Sequence, residues 1–175
     1  MIKKVYFLKL ININFEILLN ICKIIIRMPN KMESLIEKII HNGNLLSIII
    51  RANFKKSGIT FFTPLDFSQQ LGYMSHPKGK IIEPHIHNVV KREIHYTKEV
   101  LIIKKGKLKV NFYSEDKNFI ESKFLYEGDV ILLAEGGHGF EVIEDIEMIE
   151  VKQGPYCGEA DKTRFIPKED DNNGK

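Results

Sequence analysis

Six histidines carry most of the chemistry this chain could do: 41, 76, 85, 87, 95 and 138. His85 and His87 form a His-x-His pair. On a strand, residues two apart face the same side, so both imidazoles could reach one ion. Glu99 follows at the start of an apolar run, with Gly106 seven positions later. Farther on, Gly128 precedes an apolar run and the small residues Ala134-Glu135-Gly136-Gly137, and then comes His138.

Those residues need strands to position them, and the chain supplies strand signals. LLSIIIR (45–51), GITFFTP (58–64), QLGYMS (70–75) and KIIEPHIH (80–87) read as short strands. EVLIIKKGKLKVNFY (99–113) reads as a hairpin turning at Lys105-Gly106. FIESKFLYEGDVILL (119–133) repeats this with a turn at Gly128-Asp129, and GFEVIEDIEMIEVK (139–152) with a turn near Glu144-Asp145. Hairpins at regular spacing with glycine turns predict an antiparallel sandwich or barrel. Only 33–41 predicts a helix, from apolar residues at 35, 36, 39 and 40.

The two glycine–histidine clusters resemble the motifs of the cupin superfamily. The first cupin motif is Gly, five residues, His-x-His, a short gap, Glu, six residues and Gly. It is matched by Gly79, His85, His87, Glu99 and Gly106. The second is Gly, five residues, Pro-x-Gly, two residues and His. It is matched by Gly128, Gly136 and His138, with Ala134 in place of the proline and His138 one residue early. A Gly-Gly bulge can absorb that shift; without one, His138 would face outward. The gap between His87 and Glu99 is longer than the family pattern, leaving NVVKREIHYTK (88–98) as a loop at the barrel mouth. A rival register pairs Glu93-Ile94-His95 with Glu99, but Gly79 and the strand before it favour His85 and His87.

The resemblance implies an all-β, cupin-type antiparallel barrel (a double-stranded β-helix, or jelly roll) preceded by a short N-terminal helix. It implies a divalent metal held by His85, His87, Glu99 and His138 in a site with open positions; three neutral imidazoles and one carboxylate suit Fe(II), Mn(II), Zn(II) or Ni(II), and ligand type alone does not choose among them. It further implies a small metal-dependent enzyme acting on a carbohydrate or sugar-derived substrate, of isomerase or epimerase type. Glu93 or His95 would shuttle the proton, and Arg92, Tyr73 and Phe140, with Gln70, would contact the substrate. An Fe-dependent dioxygenase and a non-catalytic ligand-binding cupin are the alternatives. A metal-free isomerase using a histidine base is a further variant of the fold.

Composition bounds the rest. The chain has 175 residues, 43% of them apolar, 28% charged, 11 Phe and 6 Tyr, which is one domain with one core. The net charge is +3, of which residues 1–31 carry +5, so the remainder is −2. A slightly acidic body is a poor match for nucleic acid. Two distant cysteines, Cys22 and Cys157, make neither a disulfide framework nor a Cys-based zinc site.

Residues 1–31 hold 17 Ile, Lys and Asn, the flavour of translated AT-rich DNA, which predicts a natural start at Met32. An amphipathic helix lying on a membrane is the alternative. Charged and Asn residues interrupt the apolar stretch 5–26, so it matches neither a spanning helix nor a signal peptide. The organisation expected is an extension over 1–31, one domain over 32–167 and a disordered polar tail over 168–175, in a cytoplasmic homodimer that binds a small molecule and neither membrane nor nucleic acid.

Overall fold

A computed structural model describes residues 35–167. The expectations for 1–31 and 168–175 lie outside these residues.

The first element corrects the sequence reading. Residues 36–41 form strand β1 (Ile36–His41), not a helix. The reason lies just beyond them. Asn42 and Gly43 both take positive φ, 51° and 83°, the turn that closes a tight antiparallel hairpin. That turn returns the chain as β2 (Asn44–Ile50), which pairs with β1 throughout. A register shift between Ile39 and Ile40 breaks the alternation of β1, which is why its apolar spacing imitates a helix.

The other strands are β3 (Gly58–Phe61), β4 (Gly72–Ser75), β5 (Glu99–Tyr113), β6 (Phe119–Tyr126), β7 (Val130–Leu133) and β8 (Gly137–Lys152). Six of them form one antiparallel sheet in the order β1-β2-β7-β5-β6, with β8 along the free side of β5. β5 is the spine. Its first residues pair with β7, its last with β6, and its whole length with β8. The sheet curls into a half-barrel. β3 and β4 form a separate hairpin. A short 3₁₀ turn, Gly158–Asp161, follows β8, and among the described residues no helix is long and apolar enough to cross a membrane.

Two expected turns prove to be one shared bend. β5 does not fold back at Lys105-Gly106, nor β8 at Glu144-Asp145. The two strands run on together, with register irregularities across 103–108. Gly106 holds φ +85° and lies against the Asp145 carbonyl, so both strands bend at the same place. The bend also switches parity on β5: Leu101 and Ile103 before it and Leu108, Val110 and Phe112 after it all enter one core cluster. The turn at Gly128-Asp129 is as expected. Asp129 is buried and accepts hydrogen bonds from Ala52 N (2.9 Å), Tyr126 N (3.0 Å) and Arg51 Nη1 (2.7 Å).

The predicted strand 80–87 does not form. No strand lies between β4 and β5, and all 20 residues from 77 to 96 are exposed. Pro84 cannot donate a ladder hydrogen bond, and the apolar side chains around it, Ile81, Ile82 and Ile86, are exposed.

A second core cluster, built on Ile48, Ile50, Val100 and Leu132, packs with Phe54, Phe62 and Tyr73. Tyr73 meets Phe54 edge-on at 5.0 Å. Gln70 brackets its own loop, accepting from Thr63 Oγ1 and donating to Pro64 O and Phe67 O. Tyr73 and Gln70, two of the residues expected to contact a substrate, pack the core and close a loop here.

Candidate active site

Glu99 is the first residue of β5, and alternation puts it on the same face as Leu101 and Ile103. His138 is the second residue of β8 and stands opposite Phe112, which is 1% exposed. Directly opposed residues share a face, so His138 points inward. The Gly-Gly pair makes this possible. Gly136 takes φ +70°, and a Cβ there would sit 2.8 Å from Tyr113 O.

The curl of the sheet then brings the two together. His138 Nε2 lies 3.2 Å from Glu99 Oε2. Lys152, the cross-strand partner of Glu99, places Nζ 3.8 Å from Glu99 Oε1 and 3.2 Å from Glu150 Oε1. The hydrogen bond to His138 holds the Glu99 carboxyl below its ordinary value; burial opposes this, and Lys152 and Lys162 assist it. The Lys152 ammonium is raised, first by its hydrogen bond to Glu150.

These side chains line a cavity of about 680 Å³. Its other wall is the segment after β8, from Asp161 to Phe165. Two contacts seat that segment: Thr97 Oγ1 donates to Asp161 Oδ1 at 3.1 Å, and the Phe165 ring meets Tyr113 edge-on at 5.3 Å. Phe140 also lines the cavity, with its ring 5.4 Å from that of His138. A second cavity of about 580 Å³ shares Tyr96, Glu135, Gly136, Gly137, Thr163 and Phe165 with it.

The histidine constellation is therefore divided. Glu99, His138 and Phe140 stand in the cavity. His85 and His87 lie on the exposed stretch 77–96, their rings 5.2 Å apart, with His85 Nδ1 3.0 Å from Glu83 O. Glu93 and His95 lie on the same stretch, 3.9 Å apart, and Arg92 beside them. None of these lines the cavity.

Among the described residues, no three His, Cys, Asp or Glu side chains are grouped so as to hold a metal ion. The four expected ligands do not fit a single ion in this arrangement. The sequence reading missed Lys152, Glu150, Asp161 and Lys162. Lys152 and Glu150 carried a usable signal, since both share strand parity with His138 on β8; Asp161 and Lys162 fall on a segment with no period.

A scan against protein-family models found no match, and neither the curated proteins nor the solved structures contain one with significant similarity.

Proposed function

We propose that this chain is a small enzyme of the cupin type that moves a proton on a sugar-derived hydroxy-carbonyl compound, as an isomerase or epimerase does. The observation that carries the proposal is the Glu99–His138 pair, 3.2 Å apart inside a cavity of about 680 Å³. The curled antiparallel sheet and the meeting of one residue from each cupin-like motif support the jelly-roll reading of the fold.

A carboxylate that accepts the Nε2 proton of an imidazole fixes its tautomer and leaves Nδ1 as the acceptor. His138 is then the base that takes a proton from carbon next to a carbonyl, and Glu99 stabilises the imidazolium formed. The developing enediolate needs a cation. Lys162 lines the cavity and has no ion-pair partner among the described residues, so it takes this role, with Lys152 behind it. Nothing in this scheme draws on His85, His87, Glu93 or His95.

The test is solvent-deuterium incorporation. A panel of aldoses, ketoses and their phosphates is incubated with the protein in D₂O and followed by NMR. Exchange at the carbon beside the carbonyl is expected with at least one compound, and is lost in His138→Gln. Binding of a panel member without exchange would replace the enzyme with a ligand-binding module. Exchange that survives His138→Gln would remove His138 as the base.

A further inference from the structure

The molecule exposes two apolar surfaces of opposite charge. The first is the arm 77–96, all of it exposed. Ile81, Ile86 and Val89 on it are 75%, 92% and 104% exposed. It carries Lys78, Lys80, Lys91 and Arg92 against Glu83 and Glu93, a net +2 before any histidine is protonated. The second is β8. Among the described residues it pairs with β5 along one side only, which leaves its other edge open over 16 residues. Val142, Ile149 and Val151 on it are 58%, 47% and 50% exposed. It carries Glu141, Glu144, Asp145, Glu147 and Glu150 against Lys152, a net −4.

We infer that the arm of one copy of this chain pairs, as an added strand, with the β8 edge of a second copy. An open edge that is long and apolar is a template for another strand, and natural sheets cover or blunt such edges. The charges choose the occupant. A second β8 would bring acid against acid, whereas the arm brings lysine and arginine.

They also choose the place on β8. Lys109 already binds Glu141 at 3.0 Å, and Lys107 is turned over the rings of Phe124 and Tyr126, at 4.8 and 5.4 Å. Glu144 and Glu147 are left without an ion pair among the described residues. On the arm, Lys80 and Arg92 are likewise without one.

The other two edges fit the arm less well. On β1, Glu37 is already taken by Arg51 and Lys123, and on β6, Lys123 takes Glu121. An arm pinned at both ends and ten residues deep extends about 30 Å, against about 50 Å for the length of β8. Because each copy carries both surfaces, two arms exchanged about a twofold axis close the pair.

The experiment is sedimentation equilibrium of the full chain and two charge-reversed variants. One variant reverses the edge (Glu144→Lys with Glu147→Lys) and the other reverses the arm (Lys80→Glu with Arg92→Glu). The wild type is expected to be a dimer that dissociates as salt rises. Each variant is expected to be monomeric where the wild type is dimeric. An equimolar mixture is expected to recover the dimer, because the unaltered arm then meets the unaltered edge and the acidic arm meets the basic edge. A wild type that stays monomeric, a dimer indifferent to both reversals, or a mixture that does not re-form the dimer overturns the inference. Circular dichroism confirms that each variant is folded.

Discussion

Gly106 of β5 lies against the backbone carbonyl of Asp145 on β8, so closely that a Cβ at Gly106 would fall inside that carbonyl. The contact holds at the one place where both strands bend. It lets Leu101 and Leu108, of opposite parity on one strand, enter the same core cluster. The half-barrel depends on this bend, because a straight β5 would turn either its first half or its second half outward.

Gly106→Ala should therefore cost about 3 kcal/mol or more, from the positive φ together with a backbone clash that no side-chain rotation relieves. Gly58 separates the two causes. It has a similar φ, +84°, but nothing within 4 Å of an added Cβ. Gly58→Ala should cost only about 1 to 2 kcal/mol, the conformational part alone. Urea denaturation of both variants measures the difference; equal losses would mean that the approach of β8 contributes nothing.

Glu99 makes stability depend on acid. Its folded carboxyl titrates below the ordinary value of 4.5, held there first by His138. A group whose folded pKa is lowered contributes stability that is fully present above the unfolded value, and that is lost as pH falls through the folded one. Wild-type stability should thus drop as pH falls below about 4.5, beyond what the other carboxylates produce. Glu99→Gln should flatten that part of the profile, so that the difference between the two proteins shrinks there. Thermal melts at a series of pH values from neutrality downward check this. A gap between wild type and variant that does not shrink in acid would mean that Glu99 does not interact with His138 as a charge.

What the sequence disclosed of this site, and what it hid, follows from distance along the chain. Glu99 and His138 were legible because each sits at a strand start marked by local spacing and by glycine. The strands at 45–51, 58–64 and 70–75 were legible for the same reason, since alternation and turn residues are local. The helix expected over 33–41 failed because apolar spacing was weighed and the Asn42-Gly43 turn was not. That pair is the stronger signal, since both residues must take positive φ. The bend at Gly106 looked like a hairpin turn because one glycine serves either purpose. Only the strand opposite decides, and β8 lies more than thirty residues downstream. The wall formed by 161–165 was legible only as part of a loop that packs back on the sheet, marked by Gly154-Pro155 and Tyr156; with no period, it gave no sign of where it docks. Its position comes from Thr97 and Tyr113, which are remote in sequence.

That wall is the least supported part of the cavity and should be the first to open. Its anchor is Phe165, which meets Tyr113 edge-on and comes close to Gly137. An edge-to-face aromatic pair adds about 1 kcal/mol to what its burial supplies, so Phe165→Ala should lower global stability only modestly. Locally the effect should be larger. With the ring gone, the Thr97–Asp161 hydrogen bond is the remaining tie from this segment to the mouth of the half-barrel. Amides of 158–166 should exchange faster in Phe165→Ala, while those of β5 and β7 stay protected. Hydrogen–deuterium exchange read by mass spectrometry resolves the two regions. If the segment exchanges as slowly as in the wild type, Phe165 is not what seats it, and the cavity owes its second wall to the backbone of 153–161. Faster exchange confined to 158–166 would make Tyr113 and Phe165 the pair that decides how large a molecule Glu99 and His138 can receive.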